Sequence, residues 1–94
     1  MPSAAGFAKA RDQFLKESFP AIREAMQSKG TLQTHLQTVG KDALEMCEDL
    51  TAQMLNRADL PTEFHERVTE LNRIPEVVRE IVNAEVIHVP PISV

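Results

Sequence analysis

Tryptophan and tyrosine are absent from this chain of 94 residues, and its aromatic side chains are four phenylalanines, Phe7, Phe14, Phe19 and Phe64. A core here must be built from Leu, Ile, Val, Met and Ala. The missing rings are those most enriched at binding hot spots and membrane interfaces, and without them a surface that stacks sugars or nucleobases is disfavoured. With one cysteine, Cys47, no disulfide can form within the chain. That thiol falls on the apolar side of a helical pattern, where it reads as a small buried hydrophobe in a reducing compartment. Gly6, Gly30 and Gly40 are scattered rather than gathered into a phosphate-cradling loop. No stretch approaches the roughly 18 consecutive apolar residues needed to cross a bilayer, and the first residues lack the pattern of a secretory signal. The expected location is therefore the cytoplasm, with no membrane partner.

Charge is unevenly spread. Residues 1–30 hold five cations, Arg11 among them, against three acids, a balance of +2; residues 31–94 hold five against eleven, a balance of −6. Most of that surface repels a polyanion, which weighs against nucleic acid as a direct partner. The same asymmetry favours a basic amino-terminal segment meeting an acidic surface, within one chain or between chains.

What the chain does contain is a long proline-free stretch, Thr31 to Arg57. Leu32, Leu36, Val39, Ala43, Met46 and Leu50 recur at gaps of four and three, one face of a helix. Leu44, Cys47, Met54 and Leu55 widen that face towards the carboxyl end. Thr31 is the expected N-cap. Gly40, inside the helix, either lets a neighbouring helix approach closely or marks a kink. The outward side carries Asp42, Glu45, Glu48 and Asp49, a solvated face or a docking surface for a basic partner.

Shorter segments flank this helix. Ser3 caps a first helix lined by Phe7, Ala10, Phe14 and Leu15, which breaks at Ser18–Phe19 because Pro20 disfavours helical geometry in the residue before it. A second piece from Pro20 ends at Ser28-Lys29-Gly30, with glycine in the left-handed cap. Asp59-Leu60-Pro61 starts a helix carrying Phe64, Val68 and Leu71 on one face. Asn72-Arg73-Ile74-Pro75 repeats that punctuation, predicting a stop and a separate last helix with Val77, Val78, Ile81 and Val82. From Glu85 the β-branched Val86-Ile87-His88-Val89, then Pro90-Pro91 and Ile92-Ser93-Val94, predict an extended apolar arm. The expected fold is all-α: a small bundle of four to five helices around one long central helix. Residues 1–84 form the domain, and residues 85–94 an arm lying on the bundle or a partner chain.

The residues that could carry chemistry do not assemble into a known constellation. His35, His65 and His88 are not spaced with Cys47 as metal ligands, and His65-Glu66 lacks the second histidine of a zincin helix. Carboxylates along a solvated helix are not an acid–base pair, which needs one pKa raised by burial. No catalytic, cofactor or metal residue is assigned, and the chain is read as not an enzyme. The segments either side of Asn72 could be drawn as a helix-turn-helix, but its second helix offers Arg79 among Glu76, Glu80 and Glu85, the wrong charge for DNA.

The expected function is that of a small acidic protein–protein interaction module, an adaptor, inhibitor or chaperone-like protein, and a homodimer. Its partner-binding candidates are a groove beside the central helix at Met46, Leu50 and Met54, the acidic face at Asp42, Glu45 and Asp49, and the arm at Val86, Ile87, Val89 and Ile92. Removing Val86–Val94 is expected to weaken association while sparing helical content. The alternative is a transcription-linked regulator acting on a DNA-binding protein, or weakly on DNA.

Overall fold

The computed structural model describes residues 2–57 and 62–91, and within them the chain is all-α, with four α-helices and no strand. They are α1 (Ala4–Ser18), α2 (Pro20–Lys29), α3 (Leu32–Arg57) and α4 (Phe64–Val82), followed by a π-helical turn, Asn83–Ile87. The molecule is elongated, 55 × 21 × 20 Å. At 26 residues, α3 is about 39 Å long.

Local chemistry sets most of the helix ends. Ser3 Oγ accepts the Gly6 amide at 3.0 Å and opens α1. Phe19 leaves helical geometry ahead of Pro20, yet its amide still donates to the Leu15 carbonyl, so α1 and α2 meet at a bend rather than a loop. Across that bend Arg23 Nε donates to Asp12 Oδ1 at 2.7 Å, which is the main reason the Asp12 carboxyl sits below its usual pKa. Gly30 takes φ 77°, where a side chain is disfavoured, and with Thr31 closes α2 onto the Met26 and Gln27 carbonyls. Thr31 stands at the position just ahead of α3, its carbonyl accepting the His35 amide at 3.0 Å, and its hydroxyl turns back to donate to the Met26 carbonyl.

Packing against α3 decides the rest. Gly40 is buried beneath the first turns of α1, and a Cβ placed there would fall inside contact distance of the Ala4 carbonyl oxygen and 3.2 Å from Ala8 Cβ. Of the two readings of Gly40, close approach is the one the fold uses. Phe7, Ala43, Ile74, Val78, Val82 and Ile87 form the larger core cluster; Leu15, Leu32 and Leu36 form a second one beneath the α1–α2 bend. Fully burying residues such as Leu15, Val78, Val82 and Ile87 contributes about 1.5–3 kcal/mol each.

Two expectations fail on the carboxyl half, and a third falls outside the described residues. The residues after Leu71 do not stop: α4 runs unbroken through Pro75. A proline inside a helix forfeits one hydrogen bond and crowds the carbonyl four residues back, about 3 kcal/mol, but Ile74 and Val78 on either side are buried and hold the helix together. There is accordingly no turn here on which to build a helix-turn-helix. Asp59 and Pro61 lie outside the described residues; the cap of α4 is Glu63, whose Oε2 accepts the Glu66 amide at 2.8 Å. Finally, the chain does not become extended at Glu85, because the helix widens into a π turn that carries Ile87 into the core.

Candidate functional site

Two features emerge once the helices are packed: a buried arginine at the carboxyl end of α4, and a bare apolar surface at its amino end. Arg11 lies one turn from Phe7 and one from Leu15, so the apolar stripe of α1 runs straight through it, and its side chain is only 3% exposed. Its Nη1 donates to the Ile87 carbonyl at 2.8 Å and to the Val89 carbonyl, and its Nε donates to His35 Nε2 at 3.3 Å. The guanidinium carbon stands 5.4 Å from the centre of the Phe14 ring, which also meets the His88 ring at 5.3 Å. Arg11 therefore ties α1, α3 and the π turn together, with its charge at the negative end of α4. The partners are neutral, so the site reads as a clasp for the chain end rather than as an ion pair.

His35 can accept from Arg11 only while Nε2 is unprotonated. Burial, and then the Arg11 charge, hold its pKa below the usual histidine value of 6.5. The unfolded chain therefore binds the proton more readily, and the His35 contribution to stability is present above about pH 6.5 and fades as pH falls towards the lowered native pKa. We expect the melting temperature to drop between pH 7.5 and 5.5 more in the natural protein than in His35→Gln, which cannot titrate. Equal drops would remove His35 from the account. The Asp12–Arg23 pair, whose loss belongs to the carboxylate range at lower pH, serves as an internal contrast.

The second feature lies at the other end of α4. Its amino half carries Phe64, Val68 and Leu71, exposed at 63%, 37% and 39%, and Leu55 near the end of α3 is exposed at 44%. At gaps of four, three and four, the stripe Phe64–Val68–Leu71 leads to Pro75. Pro75 is a wall of a groove of about 900 Å³ that runs between α3, α4 and the amino end of α1. Phe7, Cys47, Ala52 and Leu55 supply more of the apolar lining, with Glu48, Arg79 and Asn83 as polar members. The physical cause is a mismatch of lengths. The amino end of α1 reaches this groove at Ser3, whereas α3 and α4 continue past it as a two-helix hairpin.

The residues expected to meet a partner are scattered by the fold. Asp42, Glu45 and Asp49 are exposed on α3. Met46, Leu50 and Met54 are half-buried and packed against the chain's own core, as is Val86. Ile87 is fully buried, and Val89 is exposed at 38%. Ile92 lies outside the described residues. Deleting Val86–Val94 would thus take out a core side chain and the Arg11 acceptors, so it cannot probe an arm alone. Sequence reasoning missed Arg11, counted only as a charge, although its place between Phe7 and Leu15 was the available signal. It also read Phe64, Val68 and Leu71 simply as a packed face. Among the described residues no group of three or more His, Cys, Asp or Glu could hold a metal ion, and no helix is long and apolar enough to cross a membrane.

Fold and surface together define, among the described residues, an all-α protein of four α-helices in which Leu55, Phe64, Val68 and Leu71 stand exposed on α3 and α4. The chain belongs to the family described as transposon-encoded protein TnpV, whose family model matches residues 3–87. That span runs from the Ser3 cap to the buried Ile87. Neither the curated proteins nor the solved structures yield a match.

Proposed function

We propose that the chain is a non-enzymatic interaction module that binds a protein through the groove and the Phe64–Val68–Leu71 stripe. The observation that carries this reading is that Phe64, Val68 and Leu71 stand bare on the same helix whose Pro75 walls the groove. Folded chains rarely leave several large apolar side chains bare on one patch unless something covers them. A concave lining with a few polar rim groups also suits an amphipathic helix presenting side chains at i, i+4 and i+7. The acidic side of α3, at Asp42, Glu45 and Asp49, is separate and would add charge steering towards a basic partner.

The test is affinity capture from the native extract with the natural chain and with Val68→Glu. The variant is expected to retain its circular dichroism spectrum and lose the captured proteins. An identical set of proteins with both baits would refute docking at this surface.

A second reading is a regulator acting on a DNA-binding protein. It draws support from the family's transposon-encoded description, which makes a DNA-handling partner a natural expectation. The −6 balance over residues 31–94 argues against the chain holding DNA itself, since phosphate contacts need cations.

A further inference from the structure

We infer that the occupant of the bare α3–α4 surface is a second copy of this chain, packed antiparallel so that the two hairpins close into a four-helix arrangement. This rests on the reading above, that the surface binds protein, and names the partner.

The stripe is self-complementary. Gaps of four, three and four are the seam pattern of paired helices. When two such seams run antiparallel about a two-fold axis level with Thr69 and Glu70, Val68 of each copy meets Leu71 of the other, and Phe64 meets Pro75. Every bare apolar side chain of α4 is then covered at once, and by the same surface on both copies, as a two-fold interface requires. Phe64, the most exposed of them at 63%, inserts towards the groove wall at Pro75.

Charge points the same way. Residues 57–73 carry Arg57, Arg67 and Arg73 against Asp59, Glu63, Glu66 and Glu70, a balance of −1 in a chain of net −4. Two copies meeting there add little like charge. A meeting of the two α3 outer faces, by contrast, would set Asp42, Glu45, Glu48 and Asp49 against themselves.

The area makes this a weak contact. Two helices side by side about 16 Å long and 20 Å wide offer a footprint on the order of 300 Å² per copy, below the size of standard stable interfaces. The dimer should therefore dissociate on dilution.

Sedimentation of the purified chain from low to high micromolar concentration tests this. The expected result is an average mass rising towards twice that of the chain, and staying at one chain mass in Val68→Glu and in Leu71→Lys. Mixing those two variants is expected to restore the dimer, because each new carboxylate then faces a new ammonium across the seam. Phe64→Ser, at a position too exposed to matter for folding, should weaken the dimer at least tenfold. A monomer at every concentration overturns the inference, as does a dimer indifferent to these changes or a mixture that stays monomeric. If the pure chain is monomeric while capture from extract still depends on Val68, the second copy is excluded and the interaction reading survives. If the pure dimer depends on Val68 but capture does not, the surface serves self-association and docking of a different protein there is excluded.

Discussion

Replacing Gly40 by alanine is expected to destabilise the protein by about 2 kcal/mol, although alanine is the better helix former by about 1 kcal/mol. The added methyl would run into the Ala4 carbonyl oxygen and press on Ala8 Cβ at 3.2 Å. A backbone carbonyl cannot rotate away as a side chain can, so α1 must move off α3. Overpacking of this kind typically costs 1–3 kcal/mol and can cost more when backbone shifts. The displaced helix is also the one that carries Phe7, Arg11 and Leu15 into the core. For a domain of this size the loss corresponds to a melting temperature lower by roughly 10 °C. Gly6→Ala is the control, because a methyl there meets only the Ser3 hydroxyl, at 3.2 Å. A Gly40→Ala protein that melts at or above the natural temperature would refute the close-approach account.

The second large effect is expected from Arg11→Met, which keeps an apolar stem and removes the donors. The Ile87 and Val89 carbonyls and His35 Nε2 lose their partner together. Hydrogen bonds from a charged donor contribute about 1.5–3 kcal/mol, and a buried acceptor left unpaired costs a similar amount. Against this stands the relief of a buried guanidinium, whose desolvation already lowers its pKa. The net expectation is a loss of about 2 kcal/mol in urea unfolding. Amide exchange should rise most over residues 83–89, because Arg11 is what fastens that turn. Arg11→Lys should rescue little, since one ammonium cannot hold three acceptors in a fork. Uniform exchange across the helices in Arg11→Met would show that the clasp has no local role.

Much of the helical plan was legible along the chain. Ser3 acts through its capping hydroxyl, and Pro20 and Gly30 through their backbone preferences, so the ends of α1 and α2 follow from residue type and nearest neighbours. The apolar repeat of α3 is equally local. Pro75 was misread for the same reason: locally it is a helix stop, and only the burial of Ile74 and Val78 on α1 and α3 overrides it. The π turn was misread because β-branched residues favour extended backbone until Ile87 finds a core to enter.

The candidate site was less legible still. Arg11 is a surface residue by type, and its role exists only because the carbonyls of residues 87 and 89, 76 and 78 positions away, arrive beside it. Whether Phe64, Val68 and Leu71 are covered depends on how far α1 extends over the α3–α4 pair, a relation between elements that no single segment encodes. Sequence alone determined that this chain is helical and where its first three helices begin and end. Tertiary structure decided that Gly40 is a contact rather than a kink, that α4 passes through its proline, and which apolar face is left bare. The division has one physical cause. Backbone preference and side-chain period act over a few residues, whereas burial is settled only when distant helices compete for the same side of α3.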